Sequence, residues 1–376
     1  MKAKRLAVPI AVMALAVVIS VITALIYMRM WKPDVIVKGP GVTQVKMVSD
    51  YFPELKGTAG DTDIYFLEGE EPGGTICVMG GTHPHEPAGW MAAILIVENA
   101  IVTKGRLIVI PQCNNSGFTH NFPQEGWPQR AYFDTPHGTR SFRFGSRYTN
   151  AIHAWPDPEI YVHRPSGQTL SGFEVRNLNR SFPGHPNASF TQRVAYGFKQ
   201  LLIKEEVDFN IDLHEAPPEY PFINAIGAHE RARDIAALAA MELQAEGIII
   251  GLEFSPPRFH GLTYRELGDF TPVIAVLAEG SNPIQGRLRG ITDETLIHEG
   301  KDAFYVQAAK LGRTFVPFDE KGWPLEVRTG RHLSALLEIW SLFSEEHPDK
   351  AVVIENVPTL DELKDKGIGH FLKPVE

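Results

Sequence analysis

Five short apolar runs rich in β-branched residues, separated by stretches of helical period, constrain the fold of this chain more than any other feature. They fall at 75–79 (TICVM), 106–110 (RLIVI), 208–213, 248–252 (IIIGL) and 273–278 (VIAVLA). A strand with one face in water alternates apolar and polar residues; these runs are continuously apolar, so both of their faces need cover. Helical patterns at 87–101, 189–205, 229–246, 295–311 and 331–344 supply it. The predicted class is α/β, with a mixed, mostly parallel central sheet flanked by helices. No internal repeat or low-complexity tract breaks the pattern.

Of 376 residues 44% are hydrophobic, enough for a large core, and the formal net charge is −9. The first 33 residues contain Lys2, Lys4, Arg5, Arg29 and Lys32 and no acidic residue, so the remainder is more acidic than the total. An acidic body repels phosphate backbones, which argues against nucleic acid as a partner. Leu6 to Met28 carries no charge, and as a helix it is about 34 Å long, enough to cross the hydrocarbon core of a bilayer. Basic residues flank it on both sides, with Tyr27 and Trp31 at headgroup level. The expectation is a single-pass anchor over 6–28 with a cytoplasmic N-terminus and an extracytoplasmic body. A cleaved signal peptide shares the basic start, but the run exceeds a usual signal core and no A-x-A-like site closes it. Cys77 and Cys113 sit in or just after apolar runs and read as buried thiols; they cannot frame a metal site.

The chain divides into 1–34 (stub and anchor), 35–345 (main body) and 346–376 (charged tail). Residues 29–60 read as a polar linker and lead-in. A stretch at 114–175, dense in Gly, Pro, Arg and aromatic residues, is too long for a plain connection and reads as an insertion forming a wall or lid.

Ligands of open α/β sheets gather beyond the carboxyl ends of the strands. "GGTHPHE" (Gly80–Glu86) places His83 and Glu86 at such an end, three residues apart and able to share one metal. "FNIDLHEA" delivers His214 at another. Two His and one Glu leave a fourth zinc position open, as in catalytic sites. Asp212 shares a strand face with His214 and can accept its other ring N–H, and His85 is a spare or a neighbour of the set. Glu279 leaves the very apolar run VIAVLA, where partial desolvation raises a carboxyl pKa toward the range of a general base. Glu215 is a rival base, but strand alternation turns it away. "RNLNRSFPG" (Arg176–Gly184) offers Asn179 and Arg180 as planar donors for a substrate carboxylate.

The ordered set GGTHPHE, NLNRSFPG, IDLHEA and VLAEGSNP, spanning about Thr75 to Ser281, resembles the succinylglutamate desuccinylase/aspartoacylase branch of the zinc carboxypeptidase family. The resemblance implies about eight strands in a mixed sheet, one zinc ion on His83, Glu86 and His214, Glu279 as general base and acid, and carboxylate recognition by Asn179 and Arg180. Three departures stand out. Asn177 replaces the family's Asp before Leu-Asn-Arg. No Arg occurs in PQCNNSGFTH, where the family keeps the one that polarises the scissile carbonyl, leaving Arg176, Arg140, Arg143 or Arg147 to substitute. The insertion is long, and the family's extra C-terminal β-domain is not expected in the stretch after Ser281. Tyr264 is a further substrate-facing candidate or a core-edge tyrosine. The expected function is a zinc hydrolase cleaving an amide bond in a small carboxylate-bearing substrate; the alternatives are a membrane-anchored carboxypeptidase acting on peptides, including those of the cell wall, and a non-catalytic binding module.

Overall fold

The computed structural model describes residues 2–121, 129–255 and 258–375, so part of the predicted insertion, 122–128, lies outside the described residues. In chain order the elements are α1 (Lys2–Met28), β1 (Gln44–Met47), β2 (Asp63–Glu68), β3 (Glu71–Met79), α2 (Pro87–Asn99) and β4 (Ile101–Ile110). The insertion holds β5 (Arg130–Thr135), β6 (Gly138–Arg143), α3 (Ala151–Ala154), β7 (Ile160–Val162) and β8 (Thr169–Ser171). Then follow α4 (Phe190–Lys204), β9 (Phe209–Ala216), β10 (Ala225–Ala228), α5 (Arg233–Ala245), β11 (Gly251–Phe254), α6 (Thr263–Phe270) and β12 (Ile274–Ser281). The chain closes with α7 (Glu294–His298), α8 (Ala303–Lys310), α9 (Leu325–Glu346), β13 (Val353–Glu355) and α10 (Leu360–Lys366).

The main sheet runs β1-β2-β4-β3-β9-β12-β10-β11, with β13 also on β4. Its centre, β4-β3-β9-β12, is parallel, and antiparallel pairs join β1, β2 and β10 to it. The continuous apolar character of the central strands follows from cover on both faces. Ile76, Val78, Ile211, Leu213, Val276 and Ala278 pack into one core with α2, α5 and α9, whereas Cys77, Met79, Ala275 and Leu277 pack into the other with α4 and α6. Both cysteines are free and buried.

Strand alternation then places the polar residues. Asn210, Asp212 and His214 share the α4/α6 face of β9, because Asn210 pairs with Cys77 and Asp212 with Met79. Across the parallel ladder His214 pairs with Glu279, so both side chains emerge on the same face at the carboxyl end of the sheet. Helix α2 has no polar side: every residue from Pro87 to Asn99 is buried. It approaches β9 closely at Gly89, where a Cβ would lie 2.6 Å from the Leu213 carbonyl oxygen.

Three local expectations need correction. The 29–60 stretch docks instead of linking: Met30, Val48 and Leu55 are fully buried. Asp34, also fully enclosed, accepts from Arg130 Nη2 at 2.7 Å, Arg143 Nε at 2.9 Å and Gln112 Nε2 at 2.7 Å. Its Pro, Gly and Asp content suggested a linker only because these partners lie far along the chain. The 295–311 helix is two helices, since the chain breaks after His298 and Asp302 caps the restart at Tyr305 N. The 248–252 run enters the sheet only from Gly251. At the other end, Ile368 and Leu372 are buried, and Lys373 N donates to Glu98 Oε2 at 2.7 Å.

Candidate metal centre and cleft

Gly81, at φ +66°, swings the chain out of β3, and Pro87 starts α2 directly after Glu86. The corner between them presents His83 and Glu86 toward β9. His83 Nδ1 lies 2.7 Å from Glu86 Oε1 and 3.2 Å from His214 Nδ1, which is itself 3.0 Å from Glu86 Oε2. All three side chains are buried.

The outer ring nitrogens are committed elsewhere. His83 Nε2 faces Asn177 Oδ1 at 2.9 Å. That oxygen also accepts Asn179 N–H at 3.0 Å, while Asn177 Nδ2 donates to Glu174 at 2.7 Å. The two contacts set the amide orientation, so His83 Nε2 carries the proton. His214 Nε2 donates to Asp212 Oδ2 at 2.8 Å, and Thr82 Oγ1 holds the other Asp212 oxygen at 2.9 Å. Both inner Nδ1 atoms thus face one point beside a carboxylate, where His83 offers a lone pair and His214 offers one once a cation displaces its second proton.

Electrostatics agree with that geometry. Burial, reinforced by Arg147, lowers the His83 pKa to about 3. For His214 burial opposes the charged form, yet Asp212 and Glu86 outweigh it and raise the pKa to about 10. Glu86 is held well below the usual carboxylate range: burial works against ionisation, but His83 and His214 overcome it. One positive charge therefore belongs between these groups, supplied by a proton or a cation.

A cavity of about 250 Å³ opens beside the triad. Glu279 lines it, and burial, partly offset by His214, raises its pKa to about 8. Arg180 and Asn179 line it as well. Arg180 stacks on Phe259 at 4.4 Å, and burial lowers its pKa to about 10. Asn179 Oδ1 accepts from Thr263 N and Oγ1 at 2.8 and 3.0 Å, which leaves its amide NH₂ to donate. Tyr264 reaches the same wall from α6.

Of the four candidate arginines, Arg147 alone lines this cavity, with Nη1 3.4 Å from both Glu86 Oε1 and His83 Nδ1. Arg176 is placed elsewhere, bonded to Asp157 at 2.8 Å and to the Thr149 carbonyl. Arg140 pairs with Glu98 and Arg143 with Asp34. The Glu215 carboxylate is taken by Arg328 at 2.7 Å and Ala88 N–H at 2.9 Å. His85 is buried with Nδ1 unpartnered. Sequence reasoning did not single out Tyr220, Phe222 and Phe259, which form the apolar flank; the aromatic-proline string PPEYPF, three residues after His214, was the available signal for the first two.

No family model and no curated protein sequence matches this chain. Its coordinates are similar to a succinylglutamate desuccinylase/aspartoacylase from Rhodobacter sphaeroides, at 18% identity and TM-score 0.36, covering 59% of this chain and 52% of that one. They are also similar to the product-bound ectoine utilization protein EutE (DoeB) from Ruegeria pomeroyi, at 20% identity and TM-score 0.38, over 60% of this chain and 55% of that one. A third similar structure is the tripeptide-bound cell shape determinant Csd4 from Helicobacter pylori, at 11% identity and TM-score 0.46, over 81% of this chain and 58% of that one. This chain thus spans little more than half the length of the solved structures that it resembles.

Proposed function

We propose that this protein is a zinc-dependent hydrolase that cleaves an amide bond in a small substrate bearing a carboxylate. The observation that carries the reading is the convergence of His83 Nδ1, His214 Nδ1 and the two oxygens of the Glu86 carboxylate, beside a cavity that also holds Glu279. Two imidazole lone pairs and a carboxylate, with both ring protons committed outward, are a donor set suited to zinc. Zinc held there supplies a water acidified to near neutrality and a positive charge for the reacting oxygen.

The chain's own groups do the rest. Arg180, backed by Phe259, and the Asn179 amide bind the substrate carboxylate and set where the amide lies. Glu279, on the strand adjoining His214, takes a proton from the attacking water and later gives it to the departing nitrogen. Arg147 faces the same space as Glu86 and stabilises negative charge developing on the carbonyl oxygen. Asp212 and Asn177 hold the two imidazoles in the tautomer that turns Nδ1 inward. Residues 6–28 anchor the body to a bilayer with the N-terminus cytoplasmic; α1 is long and apolar enough, and none of the described residues covers it. Membrane fractions washed with carbonate should retain the full-length chain, and recovery of a shorter soluble form rejects the anchor.

The test of function is the full chain in detergent, loaded with zinc and offered a panel of N-acyl amino acids and short peptides with free C-termini. Release of amine that disappears on chelation is the expected result, and the preferred members separate a deacylase from a carboxypeptidase. A protein that holds stoichiometric zinc yet turns over no amide points instead to a binding module. Asn177→Ala, which removes the acceptor for His83 Nε2–H, should weaken zinc affinity about 10–100-fold, measured by competition with a chromogenic chelator. Unchanged affinity rejects its part in setting the tautomer. Arg147→Met should lower kcat with KM and zinc content nearly constant, by roughly 10²–10³-fold if it acts as an oxyanion donor. A change confined to KM would move Arg147 to substrate binding.

A further inference from the structure

A second cluster of donor groups lies away from the cleft triad, where the β7–β8 hairpin of the insertion meets the loop before α6. We propose that His163, His260 and Glu266 form a second divalent-cation site, of the zinc class, that clamps this hairpin to the body. One donor atom from each residue lies within 4.8 Å of the others, His163 coming from the hairpin and His260 and Glu266 from the loop before α6 and its first turn.

The states of His163 and Glu266 support the assignment. His163 is buried, and its Nε2 donates to the Phe182 carbonyl at 2.6 Å. Its Nδ1 therefore carries a lone pair, met at 2.8 Å by the Ser166 hydroxyl, which can rotate away. Glu266 is fully buried. Its Oε1 accepts from His260 Nδ1 at 2.9 Å and Gly261 N–H at 2.9 Å, whereas its Oε2 is enclosed with no hydrogen-bond partner. A buried carboxylate oxygen without a donor is costly, and a cation satisfies it. Two imidazoles with one carboxylate select zinc-like metals over calcium or magnesium.

The clamp lies behind the carboxylate-binding loop. Tyr161 Oη donates to the Arg180 carbonyl at 2.8 Å. Gln168 and the His260 backbone exchange hydrogen bonds at 3.1 and 2.9 Å. An ion on His163, His260 and Glu266 would lock these contacts together. The inference is independent of the hydrolase reading.

The test strips the detergent-solubilised full chain of metal, titrates it with zinc alone and measures bound metal by elemental analysis. Wild type should hold two equivalents, and Glu266→Gln and His260→Gln one each. Zinc should raise the melting temperature of the two variants less than that of wild type. The equivalent retained by the variants shows that their fold and the cleft triad are intact. One equivalent in wild type that vanishes on His83→Ala overturns the second site, as does full wild-type stoichiometry in both Glu266→Gln and His260→Gln.

Discussion

Glu279→Gln should lower turnover by about 10²–10⁴-fold, the range for loss of a positioned general base, while zinc content and fold stay unchanged. Glutamine keeps the shape and the hydrogen-bonding reach of the side chain but cannot take a proton. Glu279 also offers a sign test in pH. Burial raises its pKa to about 8 without a bound metal, and a cation beside it pulls that value down toward the ordinary carboxyl range. Below its pKa the carboxyl is protonated and cannot act as base, so the wild-type rate should fall as pH drops through a limb between these limits. The residual rate of Glu279→Gln should lack that limb. A variant with wild-type turnover removes Glu279 from the mechanism; one that also loses zinc makes it a ligand.

Asp34→Ala should cost about 3–5 kcal/mol, the usual penalty for breaking a buried ion pair from one side. Asp34 is fully enclosed and Arg143 is 1% exposed. Removing the carboxylate strands the Arg143 guanidinium, which otherwise keeps only neutral partners: the Met30 carbonyl, Gln112 Oε1 and Asn115 Oδ1. Equilibrium unfolding in denaturant measures the loss, and a change below about 1 kcal/mol would place this pair among those that contribute little. The same contacts govern truncation. A chain that begins at Arg29 retains Met30 and Asp34 and should fold with near wild-type stability, whereas one that begins at residue 35 lacks both.

Period and register made most of the candidate site's face legible. Runs apolar on both sides announced the buried centre of the sheet, and the two-residue step from Asp212 to His214 placed both side chains on one face. The strand-to-helix corner at His83–Glu86 was recognisable because an apolar run met Pro87 and a helical pattern directly after it. The arginines were a different problem. Arg140, Arg143 and Arg176 sit in or beside an aperiodic stretch, and their partners Glu98, Asp34 and Asp157 are known only from tertiary packing. Nothing local distinguished Arg147 from the other three. At Asn177 the sequence suggested a lost charge, while the folded chain uses the amide oxygen as an acceptor and the nitrogen as a donor to Glu174. Helix α6 and strand β10 were missed because each is too short to establish a period.

The closeness of α1 to the body has a consequence for where the protein can work. A flexible tether of n residues gives its cargo a reach of about 5–6 Å × √n, but here Met30, two residues beyond the apolar helix, is already inside the core and held by Arg143. With no leash, a bilayer-inserted form cannot sweep through the surrounding space. In such a form the mouth would keep one height above the lipid, and only molecules that arrive in that thin layer would be met.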